Sequence, residues 1–346
     1  MTYEQNVDLQ PLTTFRTRGA VARRLYRICS GKDAIDFAEH VAPNAQDVFV
    51  LGGGSNILVT RPIEVVAHVE IYGRHVVEET QSTVTLRIGA GENWHSCVTW
   101  AVAQGWAGIE ALALIPGTAG AAPIQNIGAY GQQLSDVCQW VEGVDLSSGK
   151  QRRFSAVECH FGYRDSIFKG ELFGKFLVTA VGIRLAKQES ATVVYSELAQ
   201  SLADVANPTI EDVFVHVVQL RKSKLPPPEL GCAGSFFKNP IVSSDVATML
   251  SSQYPTMPQY PSNGAVKLSA GWLIEQCGYK GARRGDVGVY DRHALVIVNW
   301  ALHKETRSHV LLRKSRMRYV RDLASSLKKK LSSFDEHYET DDFDAR

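Results

Sequence analysis

The chain carries almost no net charge. Among its 346 residues, 37 Lys and Arg stand against 36 Asp and Glu, so no global field draws it to nucleic acid or to an anionic membrane. Any anionic ligand must be met by local groups. It also lacks a run approaching the roughly 18 apolar residues of a membrane span, and MTYEQNVDLQ has no basic region leading into an apolar stretch, so a cytoplasmic protein is expected. Its six cysteines (29, 97, 138, 159, 232 and 277) show no C-x-x-C spacing. That argues against a zinc knuckle or a disulfide framework and leaves reduced, structural thiols. Ten histidines form no H-E-x-x-H or clustered His/Asp set, and no metal is assigned. No G-x-G-x-x-G opens a helix either. After LGGGSN (51–56), Ile57, Leu58 and Val59 read as a continuing strand, which argues against a Rossmann site.

What is present is a well-patterned globular body. Apolar residues make up 45% and charged residues 21%, with length enough for two or three packed units. DVFVL reads as a strand entering a glycine turn, and TVTLRIGAG alternates with Val84, Leu86 and Ile88 on one face. WHSCVTWAVAQG places Trp94, Cys97, Val98, Ala101 and Val102 on one helical stripe that Gly105 ends. KFLVTAVGIRLAK (175–187) reads as a strand, and TIEDVFVHVVQLRKSK as a helix stopped by Leu225 and three prolines at a domain junction. Beyond them, GCAGSFFKNP, SSDVATMLSSQY, KLSAGWLIEQCGY and HALVIVNW compose a further α+β unit.

Four stretches could carry chemistry. Gly52, Gly53 and Gly54, followed by Ser55 and Asn56, let backbone N–H groups crowd a phosphate without Cβ interference. The segment 116–131 holds Gly117, Gly120, Gln125, Asn126, Gly128, Tyr130 and Gly131, a small-residue loop able to wrap an extended pyrophosphate. In FGYRDSIFK, Arg164 offers a bidentate fork to a carboxylate or a developing enolate, or else forms a structural pair with Asp165. In GCAGSFFKNP, Ser235 sits outside any G-x-S-x-G elbow and far in sequence from any histidine. It is either a proton-donating hydroxyl or a buried turn serine, and composition alone favours the latter.

Taken together, LGGGSNILV, IPGTAGAAPIQNIGAYG, FGYRDSIFK, KLPPPELGCAGSFFKNP and KLSAGWLIEQCGYKG resemble the UDP-N-acetylenolpyruvoylglucosamine reductases, flavoproteins of bacterial peptidoglycan-precursor synthesis. The match runs in order from TTFRTRG (13–19) to VIVN (296–299). The resemblance implies an α+β fold of the vanillyl-alcohol-oxidase type. Two FAD-binding subdomains (1–70 and 71–224) would precede a smaller substrate domain (225–300) and an atypical tail (301–346). It implies FAD as cofactor and NADPH as co-substrate, with hydride delivered to the enolpyruvyl carbon of the UDP-sugar.

By the same resemblance, Gly52 to Asn56 and the 116–131 loop cradle the FAD pyrophosphate, Arg164 polarises the substrate carboxylate and Ser235 donates the closing proton. Tyr195, Lys224 and Asn239 resemble substrate-binding positions, and VVYSEL around Tyr195 suggests the family's tyrosine-loop subtype. Two rivals stand beside this reading: another flavin oxidase of the same fold, and a catalytically silent FAD or UDP-sugar binder.

The family's usual ending is a helix and an L-E-x-E-V strand, whose second glutamate assists the reaction. Neither follows Trp300, and Glu336 and Glu339 lie in an acidic tail without apolar neighbours. We read this tail as a hypothesis of single-base loss near Trp300. Codons for Leu323 to Glu336 can be chosen so that the other frame reads GIELEKEVELFR, which puts the missing glutamate across the codons of Lys329 and Lys330. Sequencing the DNA across codons 295–340 decides it, since no L-E-x-E frame opened by one base sinks the idea.

Overall fold

The computed structural model of the chain describes residues 1–188, 191, 193, 195–262 and 264–301. The tail read above as out of frame lies outside the described residues. The chain forms two compact units. Among the described residues, the first contains 1–9, 20–54 and 61–223, and the second contains 10–19, 55–60 and 224–301. The division at 223 and 224 falls just before the prolines at 226–228.

The first unit starts with strands β1 (Glu4–Asp8) and β2 (Val21–Ile28), helix α1 (Gly31–His40), and strands β3 (Val48–Leu51) and β4 (Ile63–Val69). They form a sheet in the order β1-β2-β4-β3, with β2 and β3 parallel to β4 and β1 antiparallel to β2. Helix α1 begins where the Ser30 hydroxyl accepts the Asp33 N–H, and it buries Ala34, Phe37 and Ala38. Phe37 meets Tyr26 of β2 edge-on at 5.5 Å.

Next come β5 (Arg74–Glu79), β6 (Thr83–Gly89), α2 (Trp94–Ala103), β7 (Trp106–Ala107), β8 (Gly128–Ala129), β9 (Gln132–Gln133), β10 (Cys138–Asp145), β11 (Gln151–Ser155) and β12 (Phe176–Lys187). Helices α3 (Ser196–Ser201) and α4 (Ile210–Lys224) follow. A second sheet runs β11-β10-β12-β6-β5, antiparallel throughout, with β7 beside the end of β12. Central strand β12 is buried from Phe176 to Ile183, a mostly apolar run in which Thr179 is buried too, whereas β6 buries Val84, Leu86 and Ile88 as its alternation predicts. Helix α1 packs against β2 of the first sheet and against β10 and β12 of the second. Tyr26, Ile28, Phe37 and Val65 therefore share one core with Leu86, Ile88, Val141 and Val181.

Three thiols of this unit, Cys97, Cys138 and Cys159, are buried, and burial pushes each up to about 12. Such thiols are poor nucleophiles.

One expectation fails beside the triple glycine. Residues 57–59 do not continue as strand, and the chain stays irregular until β4 opens at Ile63. The reason lies in packing, since Leu58 packs into the core of the second unit together with Phe15, Ala233 and Ile297, and residues 55–60 leave the unit that holds β3 and β4.

The second unit adds β13 (Gly231–Ser235), β14 (Ile241–Val242), α5 (Ser244–Gln253), β15 (Gln259–Ser262), β16 (Ala265–Leu268), α6 (Ala270–Gln276), β17 (Arg283–Arg284), β18 (Val287–Val289) and β19 (Val296–Asn299). Two antiparallel sheets result, β13-β19-β18-β17 and β14-β16-β15. The early segment 10–19 is stitched to them by hydrogen bonds. Cys232 N–H donates to Thr14 O at 2.9 Å, the Thr14 hydroxyl donates to Cys232 O at 2.6 Å, and the buried Asn299 amide donates to Phe15 O at 2.9 Å. Among the described residues, no helix is long and apolar enough to cross a membrane.

Candidate active site

Two glycine-bearing loops meet in the first unit. A Cβ built at Gly53 would lie 3.0 Å from the Cα of Gly117, and one at Gly52 would lie 2.7 Å from the Thr118 hydroxyl. Only backbone fits between the end of β3 and residues 117–118. This approach is what the sequence could not display, because the two segments are more than sixty positions apart. The 116–131 segment is also more regular than a loop. It contains a 3₁₀ helix, Ala119–Gln125, then the hairpin of β8 and β9, whose turn residues Tyr130 and Gly131 have φ of 49° and 88°. Within it, Gly120 is a packing residue whose N–H is already donated to Ala90 O at 2.9 Å.

Asn126 holds this segment together. It is 2% exposed, and its amide nitrogen reaches Gln133, Ser135 and Gly162 while its oxygen accepts the Ser135 N–H at 2.9 Å. Expected as a cofactor contact, its side chain is instead occupied by the protein itself. Glu110 does similar work from the other side. Also 2% exposed, it accepts the Gly108 N–H at 2.6 Å and the Gln132 amide at 2.7 Å, and Gln132 in turn accepts the Ala111 N–H.

The turn that carries Arg164 is laced to this frame. The Ser166 hydroxyl donates to Ile124 O at 2.7 Å, and Asn126 donates to Gly162 O at 3.1 Å. The Arg164 guanidinium donates to the carbonyls of Asn126 and Gly128, and the Lys169 ammonium donates to Arg164 O at 3.0 Å. Arg164 itself sits at φ 54°, a left-handed conformation that non-glycine residues adopt rarely and that gathers at functional sites. Burial pushes its guanidinium pKa down from the ordinary value. Carbonyl oxygens fix the fork's direction without cancelling its charge.

Asp165, the partner that sequence offered, uses its carboxylate to accept the Ser166 N–H at 3.0 Å. Tyr130 meets Tyr195 edge-on at 5.5 Å, which joins a residue expected at the cofactor to one expected at the substrate.

Ser235, Lys224 and Asn239, with Ser55 and Asn56, belong to the second unit. Ser235 ends β13 opposite Val296, after a register shift between Cys232 and Ser235 in the pairing with β19. Gly234, at φ 73°, supplies the left-handed residue such a bulge needs, and a bulge re-aims the side chain beside it. The result is an exposed hydroxyl, against the expectation of a buried turn serine. Phe236 and Phe237, both buried and 5.3 Å apart, clamp the chain immediately after it. The Asn239 oxygen accepts the N–H of Ala270, the first residue of α6, at 2.9 Å.

Sequence reading missed three residues of the first unit. Arg221 lies on α4, its Nη2 donating to Leu114 O at 3.2 Å. On the opposite side, His95 Nδ1 accepts the Leu114 N–H at 3.1 Å, and its ring stacks on Phe214. Leu114, held between them, has φ 55° and leads directly into the 116–118 loop. Arg221 had left a signal: Ile210, Val213 and Val217 form the buried stripe of α4, and the next position on that stripe is 221.

These features are those of an FAD-binding protein. Residues 29–155 match the family described as "FAD binding domain", and residues 226–318 match "UDP-N-acetylenolpyruvoylglucosamine reductase, C-terminal domain". The fold is of the vanillyl-alcohol-oxidase type. It aligns with a VAO-type flavoprotein from Myceliophthora thermophila at TM-score 0.50, 11% identity, over 92% of this chain and 72% of that one. It aligns with UDP-N-acetylenolpyruvylglucosamine reductase from Thermus caldophilus at TM-score 0.64, 24% identity, over 94% and 95% of the two chains.

The chain belongs to the UDP-N-acetylenolpyruvoylglucosamine reductase family. It is 45% identical to the protein of that name from Chromobacterium violaceum, over 90% of this chain and 93% of the relative. With the Escherichia coli O157:H7 protein of the same name it shares 43% over 85% and 86%. The C-terminal family match continues to residue 318, so the likeness does not end at Trp300.

Two expectations follow from the geometry. Gly53→Val forces branched carbon into the 3.0 Å gap to Gly117, and overpacking of this kind weakens FAD retention by about tenfold or more. The flavin-to-protein absorbance ratio after gel filtration, beside an unchanged far-ultraviolet spectrum, checks it. His95 supplies a pH dependence. It must be neutral to accept the Leu114 N–H, and burial, then the charges of Lys222 and Arg221, push its pKa below the ordinary 6.5. The unfolded chain therefore takes up the proton first. The stability His95 contributes is complete above about 6.5 and is lost as pH falls through the depressed folded value. His95→Asn, which cannot titrate, gives a shallower fall in unfolding temperature between about pH 7 and 5, and identical slopes in the two proteins would refute this assignment.

Proposed function

We infer that the chain catalyses the reaction for which its family is named. NADPH, through FAD, reduces the enolpyruvyl group of UDP-N-acetylenolpyruvoylglucosamine to give UDP-N-acetylmuramate in peptidoglycan-precursor synthesis. The observation that carries this beyond family membership is Arg164, a guanidinium drawn out of water and aimed by two carbonyls on a turn laced to the 124–128 segment. The close approach of Gly52 and Gly53, which carry no Cβ, to Gly117 and the Thr118 side chain brings together two loops whose N–H groups suit a bound pyrophosphate. FAD, when bound, supplies hydride equivalents drawn from NADPH.

The chain's own residues do the rest. Hydride arriving at the enolpyruvyl methylene breaks the C=C π bond and leaves the electron pair on the adjacent carbon, delocalised into the carboxylate. Arg164 holds that growing negative charge, which a preorganised cation stabilises more in the transition state than in the ground state. Ser235 then gives its hydroxyl proton to the carbanionic carbon and recovers one from solvent. The net change is one hydride and one proton added to the substrate as NADPH becomes NADP⁺.

Gly52, Gly53, Gly54, Ser55, Asn56 and Gly117 would lie along the FAD pyrophosphate. In this reading Gly120, Asn126 and Gly128 shape the loop, with Gln125 and Tyr130 on its ligand side. Tyr195 and Lys224 would bind the UDP portion, Lys224 as a point charge on phosphate, and Asn239 would set the N-terminus of α6 beside it. We place the reaction in the cytoplasm, where NADPH and nucleotide sugars are available. Steady-state NADPH oxidation tests the whole: turnover that requires the enolpyruvyl UDP-sugar supports it, whereas flavin binding without turnover favours a silent binder.

A further inference from the structure

Arg221 occupies a position where α4 calls for an apolar residue, one turn beyond Ile210, Val213 and Val217. Its Nη2 is used by Leu114 O, but its Nε is buried with no hydrogen-bond partner among the described residues. Nor does any acidic side chain pair with it there. Its electrostatic neighbours are Tyr130 and, with the same sign, the guanidinium of Arg164. A buried donor without an acceptor is costly, and a charged one more so. A second cation nearby adds to that cost. Nothing in the helix explains why such an arrangement should persist, since Leu or Met at 221 would complete the buried stripe.

One species relieves all three penalties together: an anion with several lone pairs lying within reach of both guanidiniums. A carboxylate fits best, because its two oxygens can each take one fork and its plane matches the guanidinium plane. The diphosphate is the other anion of the substrate, and a backbone amide cradle or a lysine suits it equally well. Building on the reaction assigned above, we propose that Arg221 is a second binding guanidinium of the substrate site, sharing the enolpyruvyl carboxylate with Arg164. Tyr130, in the turn of the β8–β9 hairpin and an electrostatic neighbour of Arg221, would cover the same anion and keep water from it.

The test uses the full chain with FAD bound and two ligands that differ in the carboxylate. One is the enolpyruvyl UDP-sugar, and the other is UDP-N-acetylglucosamine, which keeps the nucleotide, diphosphate and sugar but has no enolpyruvyl group. Dissociation constants are read from perturbation of the flavin spectrum. Arg221→Gln is expected to weaken the enolpyruvyl ligand by about 10- to 100-fold, the range for a lost charged hydrogen bond, and UDP-N-acetylglucosamine by less than about threefold.

Arg221→Lys keeps the charge and stem but not Nε. It is expected to fall between wild type and Arg221→Gln for the carboxylate ligand only, and it carries the test alone if Arg221→Gln does not hold FAD. Equal weakening of both ligands would assign the residue to the diphosphate, and no weakening of either would make it structural. Each overturns the proposal. Failure of the wild type to oxidise NADPH with the enolpyruvyl substrate would instead overturn the reaction itself, so the two failures are told apart.

Discussion

Arg164→Lys is expected to lower kcat by about 10²-fold or more, the usual loss for one preorganised electrostatic stabiliser, with KM little changed. The argument rests on shape as much as on charge. The guanidinium reaches two carbonyls, those of Asn126 and Gly128, which fix its plane. An ammonium is a point charge that cannot satisfy both carbonyls in the same plane and also meet a carboxylate. Lysine therefore keeps the sign of the field but loses its direction. Single-turnover flavin reduction by NADPH should be unaffected, because Arg164 is assigned to the substrate's negative charge and not to NADPH. Equal loss in both half-reactions would mean that the 162–166 turn had collapsed, and an unchanged kcat would remove Arg164 from the mechanism.

How far this site was legible in the sequence depends on the range of the contact. Local patterns carried well: the alternation of Val84, Leu86 and Ile88, the Trp94–Cys97–Val98–Ala101 stripe and the strand expected over 175–187 all appear as elements of the kind expected. Long-range partnerships did not. Nothing in GGGSN reveals that Gly53 abuts Gly117, or that Leu58 belongs to the core formed around Phe15 and Ile297.

Composition misled at Ser235 for a related reason. A serine between glycine and two phenylalanines reads as buried, yet Gly234 permits a bulge that leaves the hydroxyl exposed while Phe236 and Phe237 take the core. Asn126 shows what the sequence could not display: the side chain of a polar residue in a glycine-rich loop makes four hydrogen bonds, to Gln133, Ser135 and Gly162, that hold the loop itself. Arg221 was legible in principle, as a charge at the period of a buried stripe, and a test of helix periodicity for misplaced polar residues would have found it.

The Ser235 assignment leads to the other large effect. Ser235→Ala is expected to lower kcat by about 10²- to 10⁴-fold, the usual contribution of a positioned general acid. Stability offers no competing explanation. Ser235 is exposed at the end of β13, and its backbone pairing with Val296 survives any side chain, so alanine there changes folding by no more than about 0.5 kcal/mol. Hydride transfer to the substrate is read separately from protonation, by following flavin reoxidation and product formation in one rapid-quench experiment. If Ser235 is the acid, flavin is reoxidised and the substrate anion, lacking its proton donor, returns hydride or waits for water. Substrate exchange at the methylene carbon then outruns product formation in the variant. Ser235→Cys, which retains an acidic hydrogen at nearly the same place, recovers part of the rate. A Ser235→Ala enzyme that forms product as fast as wild type, or one that loses flavin reduction by NADPH as well, would take the proton donor away from β13.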